Sequence, residues 1–159
     1  MINTLTYSPA AIAALTEASE GCVLSAYPDP ATGAEPWTIG YGHTGQDVFD
    51  GLTCTQAQAD AWLRADIATA QNAVNALTTV QLSQHEFDAL VDFAYNCGIG
   101  NFASSTLLRM LNMADFEGAD EQFARWVNGG GHRLPGLVAR RALESNWFTI
   151  PDSPSDVTD

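Results

Sequence analysis

The sequence predicts an α+β fold, in which a small lobe with a β-hairpin sits beside a larger helical lobe and one long helix joins them. Three observations support this prediction. Residues 22–44 contain short apolar runs separated by Gly and Pro. From Thr55 the apolar residues follow the helical period instead, and the segments up to residue 147 keep that period. With 159 residues, the chain is long enough for one domain with a buried core.

The first predicted helix begins at Ser8-Pro9, because a hydroxyl N-cap followed by proline is a typical helix start. We expect it to end at Glu20. Two β-like runs follow, over residues 23–27 and 37–41, and the segment between them is rich in turn-forming residues. This pattern predicts a hairpin with a long loop.

The longest helix is predicted over residues 55–77, where apolar residues recur along one face. They are Ala59, Trp62, Leu63, Ile67, Ala70, Val74 and Leu77. Capping-box spacing marks the start of this helix at Thr55-Gln58 and of the next at Ser83-Glu86, and Gly98 marks the end of the latter. Shorter helices are predicted over residues 105–112, 115–127 and 135–147, with a break at the three glycines 129–131.

The composition is strongly acidic, with a net charge of -13 and no lysine among its six cationic residues. Without lysine, Schiff-base catalysis is excluded, and the lack of basic patches argues against a nucleic-acid partner. We interpret the acidity as a solvated surface. The tail, residues 151–159, is acidic and rich in Pro and Ser and is predicted to be disordered.

The cysteines and histidines match no metal or redox motif, so no metal and no cofactor are expected. Cys22, Cys54 and Cys97 are an odd number, and their pairing stays open. The histidines lie at positions 43, 85 and 132 and lack the spacing of zinc ligands, which disfavours a metal-dependent amidase. The apolar stretch over residues 9–15 is too short for a secretory signal or a membrane span, so we expect cytoplasmic synthesis without membrane insertion.

Three residues at regular spacing could share acid–base chemistry. Glu20 lies at the end of the first helix, where the partial negative charge of the helix disfavours an ionised carboxylate and so suits a general acid. Asp29 follows between two prolines, and Thr38 lies on the returning strand. A carboxylate and a hydroxyl can hold one water by two hydrogen bonds. Taken singly, each residue has an ordinary structural explanation, but together they suggest hydrolysis.

The blocks E-G-C-V-L-S-A-Y-P-D and W-T-I-G-Y-G-H-T-G closely resemble the phage-type lysozymes, the endolysin family of T4-like muramidases in glycoside hydrolase family 24. The resemblance covers roughly residues 10–148. It continues through F-D-A-L-V-D-F-A-Y-N-C-G-I-G, S-T-L-L-R-M-L-N, R-W-V-N-G-G-G and L-P-G-L-V-A-R-R. It implies one lysozyme-like catalytic domain over residues 1–150, with a small lobe at about 21–57 and a helical lobe of 1–20 plus 58–150.

The resemblance also implies an activity, which is hydrolysis of the β-1,4 bond between N-acetylmuramic acid and N-acetylglucosamine in peptidoglycan. Glu20 matches the general acid, and Asp29 and Thr38 match the residues that hold the water. Members of this type invert the anomeric centre, so the two carboxylates should lie about 6.5–9.5 Å apart.

Further roles follow from the same resemblance for His43, Asp66, Tyr95 and Asn96. His43 matches a histidine that forms a structural ion pair with the residue at Asp66. Tyr95 and Asn96 match residues that line the sugar cleft. Four of the arginines cluster in the C-terminal quarter and could bind peptide-stem carboxylates, pair with Glu35, or serve local acids; they are Arg125, Arg133, Arg140 and Arg141.

Two other classes of function remain open. The chain could be an inactive wall-binding or virion structural domain, or a lytic transglycosylase that forms an anhydro sugar without water. Under the preferred interpretation it is a monomer whose partner is the peptidoglycan glycan strand. It would be made in the host cytoplasm and act at the wall or periplasm after release, with a holin-type helper.

Overall fold

The computed structural model describes residues 1–30 and 32–153. The helices are α1 (Pro9–Ala11, continued by a π-helical turn over Ile12–Glu17), α2 (Gln56–Leu77), α3 (Gln84–Cys97), α4 (Ile99–Ala103), α5 (Thr106–Asn112), α6 (Phe116–Phe123) and α7 (Pro135–Phe148). The strands are β1 (Val23–Tyr27), β2 (Thr38–Gly40), β3 (His43–Thr44), β4 (Asn128–Gly129) and β5 (His132–Arg133). Most of the predicted acidic tail, from residue 154 onward, lies outside the described residues.

The α+β prediction is confirmed, with a small antiparallel sheet of order β1-β2-β3 followed by packed helices. β1 and β2 form the predicted hairpin, in which Tyr27 pairs with Thr38. The sheet also has a third strand that the sequence analysis missed, where Thr44 pairs with Thr38. Ile39 of β2 is fully buried. The lobe boundaries near residues 21 and 57 stay a prediction.

Gly40 lets the sheet approach the first turns of α2. Its φ is +65°, and a Cβ added there would lie 3.3 Å from Cβ of Ala59. Both the positive φ and this short distance favour glycine. The close approach fixes the sheet against the N-terminal end of α2.

The helix caps follow the sequence closely. At the start of α3, Ser83 and Glu86 form a complete capping box, and the helix ends at Gly98 with a φ of 95°. At the start of α2, the Thr55 hydroxyl accepts a hydrogen bond from Gln58 N–H. The reciprocal bond from the Gln58 side chain is not found among the described residues, so the predicted box is only half formed there.

The core lies around α3, which packs between α2 and α7. Phe93 is fully buried and makes edge-to-face contacts with Phe102, Phe123 and Trp126. Two further elements were not predicted from the sequence. One is the short helix α4, and the other is the β4–β5 hairpin, which occupies the region predicted as a glycine break.

The segment before α1 is held to α2 by side-chain hydrogen bonds. The Asn75 side chain accepts from Leu5 N–H at 3.1 Å and donates to Leu5 C=O at 2.9 Å. Gln71 accepts from Tyr7 N–H at 2.8 Å. These bonds fix the start of the chain along the C-terminal half of α2, and so set the direction in which α1 leads to Glu20.

Candidate active site

A cavity of about 430 Å³ lies where the sheet, α2 and α3 meet. Its walls include Glu20, Gly42, Thr44, Asp66, Tyr95 and Asn96. Four of the predicted site residues therefore line one cavity: Glu20, Asp66, Tyr95 and Asn96. The Glu20 side chain is 25% exposed, which leaves its carboxyl accessible from the cavity.

Gly42 passes directly beside the Glu20 carboxyl. A Cβ at Gly42 would lie 3.5 Å from Glu20 Oε2, and the φ of Gly42 is +88°. A residue with a Cβ would be strained at this φ, and its Cβ would contact the carboxyl and cover part of it. Gly42 thus keeps one side of Glu20 open.

Arg140 of α7 holds the other Glu20 oxygen. Its Nη1 donates to Glu20 Oε1 at 2.6 Å, while Nε and Nη2 donate to the two carboxylate oxygens of Asp92 at 2.9 and 2.8 Å. Arg140 is 4% exposed and Asp92 is fully buried. The suggestion that Arg140 binds the wall or Glu35 is therefore wrong, because its guanidinium is occupied inside the protein.

The neighbouring arginine is also internal. Arg141 donates to Asn96 Oδ1 at 2.6 Å and to Glu144 Oε1 at 2.9 Å. Its Nε lies 2.8 Å from Glu144 Oε2, a close ion pair outside hydrogen-bond geometry. Arg141 is 1% exposed, so it too is unavailable to the wall.

The buried acids behind Glu20 have opposite electrostatic behaviour. Burial acts to raise the pKa of Asp92, but the hydrogen bonds from Arg140 outweigh it and hold that pKa below its usual value. Burial raises the pKa of Glu144 well above its usual value, and the nearby Asp92 carboxylate adds to this. Asp92 is therefore the anion that balances Arg140.

Asp29 and Thr38 lie at the neck of the β1–β2 hairpin. Asp29 N–H donates to Ala34 C=O at 3.0 Å, and Asp29 C=O accepts from Gly33 N–H at 2.8 Å, so its backbone closes the hairpin loop. Thr38 pairs with Tyr27, and Asp29 follows Tyr27 by two residues. Both Asp29 and Thr38 are half-buried. Their joint action on a water stays a prediction.

Tyr95 and Asn96, predicted to contact sugar, have protein partners as well. The Tyr95 hydroxyl donates to Tyr41 C=O at 2.8 Å and so connects α3 to the segment between β2 and β3. Burial raises the pKa of Tyr95, with a further contribution from Glu20, so this hydroxyl keeps its proton. Asn96 is oriented by the contact of its oxygen with Arg141.

His43 contacts two carboxylates rather than one. Nδ1 lies 3.0 Å from Asp66 and Nε2 lies 3.1 Å from Asp47, and the ring stacks on Trp62 with centroids 4.7 Å apart. Burial acts to lower the pKa of His43, but the hydrogen bonds to Asp66 and Asp47 outweigh it and raise the pKa above its usual value. The resemblance indicated Asp66 but not Asp47.

Arg125 and Arg133 are not brought to this cavity. Both are exposed, and Arg133 lines a separate cavity with Asp120 and Val138. Their role in substrate binding stays a prediction. Within residues 1–30 and 32–153, no group of three or more His, Cys, Asp or Glu is placed to hold a metal ion, and the three cysteines are free.

The sequence analysis named Arg140 only as one of the C-terminal arginines and missed its contact with Glu20, and it did not single out Asp92 or Thr16. One signal was available. Asp88 and Asp92 fall within the apolar stretch of α3, where an acid is rarely buried unless it is paired. Two such acids indicate buried partners, and the structure supplies them: Asp92 pairs with Arg140, whereas Asp88 accepts from Ser8 and Gln84.

Comparison with known proteins shows the family to which this chain belongs. The fold is that of a lysozyme-like protein, and residues 17–144 match the family described as Phage lysozyme. The chain belongs to the phage lysozyme family. The predicted family resemblance is therefore confirmed.

Two similar phage proteins, both endolysins by name, support this assignment. The chain is 42% identical over 108 residues to the SAR-endolysin of Enterobacteria phage PA-2, covering 68% of this chain and 66% of that protein. It is 43% identical over 134 residues to the endolysin of Bacillus phage PZA, covering 84% and 52%. The chain thus spans just under two thirds and about half the length of these two relatives.

Solved structures are similar over nearly the whole chain. The muramidase domain of SpmX from Asticaccaulis excentricus matches with a TM-score of 0.82 and 36% identity, covering 92% of this chain and 99% of that one. The endolysin from Escherichia coli O157:H7 phage FAHEc1 matches with a TM-score of 0.81 and 33% identity, covering 94% and 96%. In the part of this chain that the structure describes, no helix is both long enough and apolar enough to span a membrane.

Proposed function

We propose that this chain is a lysozyme of the endolysin type. It hydrolyses the β-1,4 bond between N-acetylmuramic acid and N-acetylglucosamine in bacterial peptidoglycan, with inversion at the anomeric carbon. The observation that carries this proposal is the placement of Glu20: a carboxyl group open to a cavity on one side and held by the buried Arg140–Asp92 pair on the other.

The chemistry needs one acid and one activated water. Glu20 donates its proton to the glycosidic oxygen as the bond to the anomeric carbon breaks. A water held by Asp29 and Thr38 attacks that carbon from the opposite face, and Asp29 takes the proton that the water loses. Exchange with solvent then restores the proton on Glu20 and removes the one on Asp29.

The sugar-binding groups are proposed from the walls of the cavity. Since Arg141 holds the oxygen of Asn96, the amide nitrogen of Asn96 is the group offered to a sugar acetamido oxygen. Tyr95 supplies an aromatic edge beside it. Arg125 and Arg133 are exposed cations that suit the carboxylates of peptide stems.

The groove continues beyond Thr44, which lines both the Glu20 cavity and a neighbouring cavity of about 690 Å³. The second cavity is lined by Trp37 and Phe49, and Phe49 is 56% exposed. Apolar aromatic faces suit the C–H faces of pyranose rings. A polymer substrate such as a glycan strand would fill both cavities.

The cellular setting follows from the same proposal. The protein is made in the host cytoplasm, is released by a holin-type helper, and acts as a monomer on the wall. Its substrate is the peptidoglycan strand, and no nucleic acid or membrane insertion is involved.

A clearing assay on purified peptidoglycan tests this function. We expect wild type to clear the suspension and Glu20→Gln, Asp29→Asn and Thr38→Val to lose most of the rate. In heavy-oxygen water, hydrolysis places the label on the new reducing end, whereas a lytic transglycosylase gives unlabelled anhydro sugars. Equal clearing by wild type and Glu20→Gln would instead favour an inactive wall-binding or structural domain.

A further inference from the structure

We infer that Thr16 is a positioning residue of this site, which holds the Asp92–Arg140 pair in the orientation that fixes the Glu20 carboxyl. This inference rests on the proposed function only in taking Glu20 as the acid. Thr16 is fully buried and lies in the π-helical turn of α1, one turn before Glu20. Such turns are often found at functional sites, because they change the direction of the side chains that follow.

Thr16 reaches Glu20 by two routes. Through the main chain, its carbonyl accepts from Glu20 N–H at 2.8 Å. Through the side chain, its hydroxyl donates to Asp92 Oδ1 at 2.7 Å, and Asp92 binds Arg140, which binds Glu20. One residue therefore sets both the backbone position of Glu20 and the orientation of the cation that holds its carboxyl.

The Thr16 hydroxyl is itself oriented from behind. It lies 2.8 Å from the Tyr7 hydroxyl, and because its own proton goes to Asp92, it accepts from Tyr7, whose hydroxyl also lies at a longer 3.3 Å from Ala11 C=O. Tyr7 is 3% exposed. Hydrogen bonds thus link the series Tyr7, Thr16, Asp92, Arg140 and Glu20 from one residue to the next, and the series ends at a carboxyl that is open to the cavity.

The geometry at Asp92 explains why Thr16 matters. Asp92 Oδ1 accepts from both Thr16 and Arg140 Nη2, while Oδ2 accepts from Arg140 Nε. A two-bond fork fixes the guanidinium relative to the carboxylate, but it does not fix the carboxylate relative to the protein. Bonds from Thr16 and Glu144 do so. Without the Thr16 bond, Oδ1 loses one of its two donors, so carboxylate and guanidinium can shift together and move Arg140 Nη1 away from Glu20.

The matched variants are Thr16→Val and Thr78→Val. Each removes one buried hydroxyl, since Thr78 is 3% exposed, donates to Val74 C=O at 2.8 Å and accepts from the Asn3 amide at 2.9 Å; it does not line the cavity. Initial rates are measured on dye-labelled peptidoglycan over a range of concentrations. We expect Thr16→Val to lower kcat about tenfold with little change in KM, because a small displacement of an acid costs rate and not binding. Thr16→Ser should restore kcat, and Thr78→Val should keep it.

An NMR signal tests the same inference without activity. The Arg140 Nε–H is buried against Asp92, so its proton exchanges slowly with solvent in wild type. We expect faster exchange and a shifted resonance in Thr16→Val, and a wild-type signal in Thr78→Val.

The inference is overturned if Thr16→Val and Thr78→Val have the same kcat and the same Arg140 signal while Glu20→Gln is inactive. If Glu20→Gln clears the wall like wild type, the proposed function fails, and the NMR result still decides the role of Thr16. Should Thr16→Val not fold, Tyr7→Phe takes its place, and we expect about a threefold lower kcat because the Thr16 hydroxyl loses its donor. An unchanged kcat in that variant would also overturn the inference.

Discussion

The guanidinium of Arg140 contacts the carboxyl of Glu20 at 2.6 Å, across 120 residues of sequence. This contact joins the last helix of the chain to the end of the first. Since Arg140 is held on its other edge by buried Asp92, the position of Glu20 depends on the packing of α7 against α3.

Removal of this cation should be costly. Arg140→Met leaves Asp92 buried and unpaired, and breaking such a pair costs about 3–5 kcal/mol of unfolding free energy. Arg109→Met, at an exposed position, is the control and should change stability by less than about 1 kcal/mol. Urea denaturation of both variants measures the difference. Similar midpoints for the two variants would mean that the Arg140–Asp92 pair contributes little.

The His43 contacts predict a dependence of stability on pH. The pKa of His43 is raised in the folded protein by Asp66 and Asp47, so these contacts stabilise the fold fully below the unfolded-state pKa of about 6.5. The contribution is lost as pH rises through the folded-state pKa. The stability difference between wild type and His43→Gln should therefore be largest in mild acid and shrink toward alkaline pH.

Denaturation curves over this pH range measure that difference. Asp47→Asn is a useful companion variant, because it removes one of the two carboxylates and leaves Asp66 in place. A stability difference that is constant with pH would show that His43 acts by packing on Trp62 and not by its charge.

The second cavity predicts a dependence on substrate length. Phe49→Ala should lower the rate on long glycan strands about fivefold, in line with the loss of one aromatic contact of about 1 kcal/mol. It should leave the rate on short oligosaccharides unchanged, because those fill only the Glu20 cavity. Met113→Ala removes another exposed apolar side chain, 71% exposed, from α5's C-terminal end and serves as control. Equal loss on short and long substrates would argue against binding at Phe49.

Ala substitutions at Gly40 and Gly51 distinguish the cost of a positive φ from the cost of a close contact. Both have positive φ, +65° and +85°, but only Gly40 has Ala59 within 3.3 Å of an added Cβ. Each Ala substitution should cost about 1–2 kcal/mol for the φ alone. Gly40→Ala should cost more, because the sheet must move away from α2. Thermal unfolding compares them, and equal losses would mean that the contact with Ala59 relaxes freely.

Local signals in the sequence predicted most of the helices and the hairpin. Ser83 and Glu86 form the expected capping box because both partners lie within one turn. β3 escaped prediction because its two residues, His43 and Thr44, are too few to show alternation. The partner of Glu20 escaped for a different reason: Arg140 comes near only when α7 packs on α3, and no local pattern encodes that contact.

The sequence analysis explained only the acidic residues on the surface and not the buried ones. Much of the net charge of -13 lies on exposed positions, as expected for a solvated surface. Asp88, Asp92 and Glu144, however, are all buried. Asp88 accepts from the Ser8 hydroxyl at 2.6 Å, and the other two serve the buried arginines. Composition cannot distinguish these internal acids from surface ones, because the difference depends on tertiary partners.

Helix α2 is long enough to contact both the cavity and the N-terminal segment of the chain. Its 22 residues span about 33 Å at about 1.5 Å per residue, so a tilt of about 10° about one end displaces the other by about 6 Å. Asp66 lines the cavity, while Gln71 and Asn75, nearer the C-terminal end of α2, form hydrogen bonds with the N-terminal segment. A tilt of α2 that widened the groove would stretch these hydrogen bonds to Leu5 and Tyr7, so the N-terminal segment opposes such a motion.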